Sequence, residues 1–305
     1  MTDIASGPAA PTMPERMVRR IFSGVQNFWR DTNWIVRLTA LMGLVILILA
    51  LLAPFIAPFD PNAQSLLSRL KPPVGFEGAK AGYLLGTDEL GRDILSRSLY
   101  GLRLTVGVAL LGAIIGLLVG GSLGLAAGIA GGLPDDFIMG LVDIQIAVPF
   151  TLIALLTIAL LGGDLPVLIA VLGVAYWEQY ARITRGEVLH LREMPFIEAA
   201  RASGASGFRI AFKHILPNLV SPLVVIFTVN ISNIILLEST LSFLGLGLRP
   251  PTATLGSMVG MGRDYMPSAP WIVVVPALLI LLITFVVQMM GDWLRDSTDV
   301  RLKER

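Results

Sequence analysis

Six long runs with almost no charged residues constrain this chain more than any other feature of its sequence. At 1.5 Å per residue, a helix of about 20 residues crosses a hydrocarbon core of about 30 Å. Only 15% of the 305 residues are charged, whereas a soluble domain has about 25%. The sequence therefore predicts an all-α integral membrane protein with about six transmembrane helices, at residues 35–59, 104–133, 137–163, 165–180, 215–237 and 271–291.

Polar segments flank and join these runs. Residues 1–34 form an N-terminal tail with prolines first and arginine and aromatic residues after them. This composition suits a short amphipathic helix at the membrane surface, or a poorly ordered segment for residues 1–14. Residues 60–103 form the segment that we call the outer segment. In it, Gly86 and Gly91 predict turns, and residues 93–102 predict a short amphipathic helix. Further on, we expect a tight turn at 134–136, a second outer segment at 238–270 and a C-terminal tail at 294–305.

Glycines recur at every fourth position of the second run. In lipid, small residues at this spacing let two helix backbones approach closely. Because four residues advance a helix by slightly more than one turn, the row winds around its helix and could serve more than one neighbour. We favour tight packing within one bundle for these glycines, which are Gly112, Gly116, Gly120, Gly124, Gly128 and Gly132.

Four polar residues inside the runs are candidates for lining a polar path through the membrane. Asp143 is the one carboxylate well inside the third run, and a charge at the bilayer centre is costly. We therefore expect Asp143 near the interface or facing the bundle interior, in a structural role. Asn230, Ser232 and Asn233 in the fifth run are typical of hydrogen bonds between helices, although some could line a polar path.

The segment 194–219, MPFIEAARASGASGFRIAFKHILPNL, is polar and cation-bearing and lies between apolar runs. Pro195 suits the first turn of a helix, which we expect over residues 196–202. Gly204 suits the left-handed position after that helix, and Ser206 suits the cap of a second helix at 208–216. Pro217 then returns the chain to an apolar run. We call residues 194–219 the coupling loop.

The coupling loop resembles the EAA loop of the membrane subunits of ABC importers. The matching residues are Glu198, Ala199, Ala200 and Gly204, followed by Ile215, Leu216, Pro217 and Asn218. Two further segments, LGTDELGRDILSR at 85–97 and LSFLGLGLRPP at 241–251, resemble the dipeptide, oligopeptide and nickel branch of these permeases. The chain departs from that branch at Thr252 to Gly256, where the branch has Pro-x-Trp-Gly, and at Trp293, where it has glycine.

The resemblance implies a type I ABC importer transmembrane-domain fold, with a permease core at 104–293 and an EAA loop at 183–216. It implies a second homologous permease subunit, two cytoplasmic ATPase subunits and an extracytoplasmic substrate-binding protein as partners, besides the lipid bilayer. ATP and Mg²⁺ would bind the ATPase subunits, with no cofactor on this chain. The substrate would be a dipeptide, an oligopeptide, glutathione, an opine or nickel.

The positive-inside rule predicts which face is cytoplasmic. Six spans place both termini and the coupling loop on one face, and that face carries 15 of the 23 lysines and arginines. We therefore expect a multi-pass protein of the bacterial inner membrane with cytoplasmic N- and C-termini. The acidic turn at 134–136 does not contribute to this bias.

Several function classes are disfavoured by the sequence. The net charge of +1 provides no basic excess for nucleic acid. No cysteine is available for thiolate chemistry, and no lysine lies in a phosphate-binding G-x-x-x-x-G-K-[ST] motif. We therefore expect a protein that is not itself an enzyme. The alternatives are a self-sufficient ion-coupled secondary carrier or channel, which would place ionisable residues at the membrane midplane, and a scaffold without transport.

Overall fold

The computed structural model describes residues 32–298, and this part of the chain is helical with no strand. The calls for the tail at 1–31 and for residues 299–305 lie outside the described residues. The helices are α1 (Trp34–Ile56), α2 (Ile94–Ala130), α3 (Gly132–Ala147), α4 (Phe150–Leu161), α5 (Leu165–Val174), α6 (Trp177–Arg192), α7 (Pro195–Ala202), α8 (Gly207–Ile210), α9 (Leu216–Phe243), α10 (Leu255–Gly262) and α11 (Trp271–Thr298).

Four of the described helical stretches are long and apolar enough to cross a membrane: Trp34–Ile56, Ile94–Ala130, Gly207–Phe243 and Trp271–Ser297. The bent pair α3 and α4 counts as a fifth if it is one span. Many large apolar side chains point away from the protein; Phe55 of α1 is 84% exposed and Leu160 of α4 is 75% exposed. Such an apolar exterior is what a hydrocarbon solvent favours.

The predicted short helix at 93–102 and the second span are one continuous helix, so their separation was wrong. Asp93 caps this helix, α2, by accepting a hydrogen bond from the backbone N–H of Ser96 at 2.8 Å. α2 then runs for 37 residues, or about 55 Å. It therefore extends from the outer segment to the opposite end of the bundle.

The predicted turn at 134–136 was also wrong, because Pro134 lies in the first turn of α3. A proline is tolerated there, since the N–H that it lacks has no helical partner. The chain turns instead at Gly131 and Gly132, whose φ values are +63° and +58°. These positive values suit glycine, which has no Cβ to clash with the backbone.

The third and fourth predicted spans are each divided. α3 and α4 meet at an angle of 85°, because Pro149 restricts Val148 to an extended conformation (φ −107°, ψ 128°). The predicted span 165–180 contains α5 and the start of α6, which are separated by Ala175 and Tyr176. α5 has 10 residues, about half the length that a straight crossing requires.

The fifth span begins earlier and ends later than predicted. Residues from Gly207 to Phe243 form one helical stretch, so the helix predicted at 208–216 and the fifth span are continuous. A π-helical turn at Ala211–Ile215 shifts the hydrogen-bond register, and the N–H of Leu216 donates to the carbonyl of Ala211. Pro217 follows this shift directly, in the first turn of α9. Glu238, predicted to begin the second outer segment at 238–270, lies within α9.

Two clusters mark the opposite ends of α2. At its start, Ile94 packs with Ala253, Met258 and Ile272, and the indole N–H of Trp271 donates to the carbonyl of Thr87 at 3.1 Å. At its other end, partly buried Leu125 and Ile129 pack against the coupling loop's cluster. The outer segment and the coupling loop therefore lie at opposite ends of the same helix.

The sixth span is longer than predicted. α11 continues to Thr298, past residue 294, where the C-terminal tail was predicted to start.

Buried polar groups hold the outer end together. Asp88 binds Arg92 at 2.6 Å and lies 3.4 Å from Arg97, whose side chain is 2% exposed. Glu238 is fully buried and accepts a hydrogen bond from the Ser242 hydroxyl at 2.6 Å. Buried charges and polar groups of this kind are tolerated when they are paired. They fix the outer segment and the start of α10 on α2 and α9.

Candidate coupling site and translocation region

The first helix of the coupling loop is α7. Its N-cap, Met194, is extended (φ −74°, ψ 140°), and Pro195 occupies the first helical position. Glu198 lies in the first turn, where a carboxylate interacts favourably with the positive end of the helix dipole. Glu198 and Ala199 are both exposed. The EAA tripeptide therefore presents its acidic end to the surroundings of the protein.

Gly204 closes α7 with φ +78°. The N–H of Gly204 donates to Arg201 at 2.9 Å and that of Ala205 donates to Ala200 at 3.0 Å, which is the hydrogen-bond pattern of a Schellman motif. Ser206 then caps α8 through the N–H of Arg209 at 3.4 Å. The link between α7 and α8 is thus a defined turn with its backbone groups paired.

One side chain anchors α7 to the rest of the protein. Ile197 is 0% exposed and lies in a cluster with five other buried residues. Burying an isoleucine contributes about 1.5–3 kcal/mol, so the cluster resists separation of α7 from its neighbours. Those five are Val188 and Leu191 of α6, Ile210, Ile215 and Leu219.

The opposite side of the coupling loop is apolar and exposed. Phe208 is 73% exposed, Phe212 is 51% exposed, and their ring centroids lie 4.4 Å apart. Phe196 of α7 is exposed as well. Exposed aromatic side chains next to a rigid turn are typical of a protein interface.

Arginines of α6 tie the entry of the coupling loop to α2 and α3. Arg192 donates to the carbonyl of Gly128 at 2.6 Å and to that of Ile129 at 3.3 Å. Arg185 forms a two-pronged ion pair with Asp135, with a closest distance of 2.7 Å. The hydrogen bond with Asp135 raises the pKa of Arg185 above its ordinary value. These contacts connect the coupling loop to the membrane helices through α6.

The glycine row of α2 faces α5 and α6. A Cβ at Gly120 or Gly124 would overlap the carbonyl oxygen of Trp177 or Ala181, and one at Gly128 would lie 2.7 Å from the Cβ of Val188. Gly112 and Gly116 face the α5 residues Leu172 and Gly173. Five glycines therefore meet two successive helices, α5 and then α6. Gly132 lies beyond α2, with no atom within 4 Å of its Cβ position.

The two helix breaks lie beside each other and share one side chain. The amide Nε2 of Gln145 donates to the carbonyls of Val174 and Ala175, at 3.0 and 3.3 Å, and to Glu178 Oε2 at 2.9 Å. The indole N–H of Trp177 donates to Gln145 Oε1. Backbone carbonyls released by the break between α5 and α6 are thus paired, as membrane depth requires.

A cavity of about 490 Å³ opens at these breaks. Its polar lining includes Gln145, Tyr176, Glu178, Gln179 and Arg182. A larger cavity of about 700 Å³ lies between α6, α9 and α11, near the coupling loop, with Glu187, Gln288 and Asp292 among its lining residues.

The four polar residues proposed for a translocation path do not come together in either cavity. Asp143 is 71% exposed at its side chain and pairs with Arg182 at 2.8 Å. Ser232 lies 3.4 Å from the carbonyl of Thr284. Asn230 is fully buried and accepts a hydrogen bond from Asn233 at 3.4 Å. The Asn230–Asn233 bond lies within α9, whereas Ser232 contacts α11. Of the partners of these four residues, Arg182, which pairs with Asp143, lines the 490 Å³ cavity.

Sequence reasoning did not identify Gln145, Glu178 or the arginine contacts of α6. Gln145 was visible two residues after Asp143, but nothing in the sequence placed it at a second helix break. Glu178 lines the cavity because the helix breaks at Ala175 and Tyr176. Neither residue of this break is a proline or a glycine, so the sequence did not indicate it.

Comparisons with known proteins agree with this architecture. Residues 120–300 match the family model described as binding-protein-dependent transport system inner membrane component, and residues 36–73 match the N-terminal TM domain of oligopeptide transport permease C. The inward-facing MetNI methionine ABC transporter is similar in fold, with a TM-score of 0.53 over 68% of this chain and 97% of that chain at 22% identity.

Curated relatives match nearly the whole chain. The dipeptide transport system permease protein DppC of Haemophilus influenzae is 41% identical over 87% of this chain and 91% of its own length. The di/tripeptide transport system permease protein DppC of Pseudomonas aeruginosa is 40% identical over 92% of this chain and 93% of its own length. The chain belongs to the family of inner-membrane permease components of binding-protein-dependent ABC transport systems.

Proposed function

We propose that this permease forms half of the translocation path of an ATP-driven importer for dipeptides or short oligopeptides. The observation that carries the proposal is the coupling loop, a rigid turn with an exposed acidic and aromatic face at one end of a bundle of membrane helices. The peptide substrate rests on the relatives of about 40% identity, which are named for dipeptide and di/tripeptide transport. No observation favours a self-sufficient carrier.

The partners follow from the same family. One of two ATPase subunits would dock on the face formed by Glu198, Phe196 and Phe208. A second permease chain would complete the path, and an extracytoplasmic binding protein would deliver the peptide. ATP and Mg²⁺ would be held by the ATPase subunits. The arginine bias supports a cytoplasmic position for the coupling loop and both termini, and the outer segment would then face the binding protein.

The coupling step is a movement of α7. Closure of the ATPase pair on ATP binding would displace α7, and the buried Ile197 would pass this displacement to α6 and to the base of α9. Arg192 and Arg185 would pass it on to α2 and α3. Because the turn at Gly204 is fully hydrogen-bonded, α7 and α8 move together. The path then alternates between inward-facing and outward-facing states.

Uptake measurements test the substrate class. Cells with and without this gene are supplied with labelled dipeptides, oligopeptides and, separately, nickel. We expect loss of dipeptide or oligopeptide uptake in the deletion strain and its return with the wild-type gene. Loss of nickel uptake alone would contradict the peptide assignment, and unchanged uptake of every peptide would contradict it as well.

A further inference from the structure

The cavity at the two helix breaks is open on one side, where exposed Ile146 and Val148 line it, and it lies beside the second half of α2. The break between α5 and α6 lies against α2. On either side of it, the carbonyl of Gly173 in α5 meets Gly116, and the carbonyl of Trp177 in α6 meets Gly120. These glycines are 10 and 14 residues from the end of α2 at Ala130, or about 15–21 Å along the helix axis. In a hydrocarbon core of about 30 Å, this position is near the middle.

The two charged residues of this cavity differ in their partners. Glu178 and Arg182 are the charged residues of its lining. Arg182 is paired with Asp143 at 2.8 Å and interacts with Glu178 only at longer range; Glu178 forms no ion pair within residues 32–298 and is held by the neutral amide of Gln145. Glu178 is 7% exposed. A buried carboxylate at membrane depth that forms no ion pair is costly, and beside an open cavity it is a candidate functional site.

We propose that Glu178 is the contact in the translocation path for the α-ammonium group of a peptide substrate; this inference rests on the proposed peptide transport. An ammonium group has three N–H donors and needs acceptors around it. Glu178 supplies a charged acceptor, and the cavity's volume of about 490 Å³ is within the range of about 300–1,000 Å³ for small-molecule sites.

A metal ion is a poorer fit to this site than an ammonium group. A transition metal ion needs several nitrogen, sulfur or carboxylate ligands. Within the described part of the chain, no group of three or more histidine, cysteine, aspartate or glutamate side chains could hold one. The one carboxylate in the lining of the cavity, that of Glu178, instead matches the one positive charge that every unmodified peptide carries at its N-terminus.

A thiol-protection experiment tests the contact without relying on the selectivity of the binding protein. The chain has no cysteine, so Gln179→Cys places one reporter thiol in the lining of the cavity. Permeabilised membrane vesicles that contain the whole transporter are labelled with a thiol reagent in the presence of a dipeptide or its N-acetylated form. The label on this chain is then measured. Leu156→Cys, on the exposed surface of α4, is the control reporter.

We expect the free dipeptide to protect Q179C and the N-acetylated form to protect it far less. Adding Glu178→Gln keeps the hydrogen bond from Gln145 but removes the charge. It should raise the dipeptide concentration needed for half-maximal protection about tenfold. Glu178→Asp keeps the charge and should retain part of the protection. Glu77→Gln, at an exposed position of the outer segment, should leave protection unchanged.

Two results would overturn the inference: equal protection by the N-acetylated peptide, or protection by the free peptide that is unaffected by Glu178→Gln. Peptide uptake by the wild-type transporter is measured alongside. If the wild type imports no peptide, the proposed function fails; if it imports peptides while protection is independent of Glu178, only the assignment of Glu178 fails. The amount of chain in the membrane and its ATPase activity show that each variant is assembled.

Discussion

Arg192 donates a hydrogen bond from Nη1 to the carbonyl oxygen of Gly128 at 2.6 Å. This carbonyl belongs to the last turn of α2, where carbonyls lack helical partners and the helix dipole is negative. Arg192 is the last residue of α6, two residues before the coupling loop begins. A single side chain therefore joins the entry of the coupling loop to the end of the 37-residue helix.

Arg192→Gln should weaken the transfer of movement from the coupling loop to α2. The variant loses a charged hydrogen bond worth about 1.5–3 kcal/mol, so we expect a lower thermal stability and a lower ratio of peptide imported to ATP hydrolysed. Uptake and ATPase assays on the same membranes measure this ratio. Arg69→Gln, at an exposed position of the outer segment, is the control. A normal ratio in Arg192→Gln would show that coupling does not pass through this contact.

Gly120→Ala should destabilise the bundle because its Cβ would overlap the carbonyl oxygen of Trp177. Overpacking of this kind costs about 1–3 kcal/mol. Gly107→Ala on the same helix is the matched control, since no atom lies within 4 Å of its Cβ position and alanine favours helix over glycine. Thermal unfolding of the purified protein in detergent compares the two. Equal melting temperatures would contradict the close packing of α2 against α6.

Much of the helical framework follows directly from the sequence. The apolar runs predict α1, α9 and α11, because a long uncharged segment has few other stable forms in lipid. The turn at Gly204 and the cap at Ser206 also lie where local residue preferences place them. Both features depend on neighbours in the sequence, and sequence reasoning is sound for such features.

The helix breaks depend on tertiary contacts and could not be predicted in the same way. Pro149 was visible inside an apolar run, yet a proline in a membrane helix can be accommodated, as Pro217 and Pro222 in the continuous stretch of α9 demonstrate. The break at Ala175 and Tyr176 has no sequence signal. It is stabilised by Gln145, 30 residues earlier. Glu178 therefore became a candidate only when both breaks were placed together.

Gly204→Val should uncouple ATP hydrolysis from transport while leaving the protein in the membrane. The φ of +78° at Gly204 is unfavourable for any residue with a Cβ, by about 1–2 kcal/mol, and a β-branched side chain adds to this strain. The hydrogen-bonded turn between α7 and α8 should therefore open. Gly207→Val, at a position without positive φ and with open space at its Cβ, is the control. Normal peptide uptake by Gly204→Val would contradict the role of a rigid turn.

Glu198→Lys should weaken the association of the ATPase subunits. Glu198 is exposed in the first turn of α7, so the change reverses a charge on the proposed docking face and places a cation at the positive end of the helix dipole. The dipole effect is worth about 0.3–1 kcal/mol and leaves the buried anchor Ile197 in place. Loss of co-purifying ATPase therefore reports the docking contact. Glu77→Lys makes the same charge change at an exposed position at the other end of the protein. If both variants retain the ATPase subunits equally, Glu198 lies outside the docking surface. The exposed rings of Phe208 and Phe212 would then be the docking contact of the coupling loop.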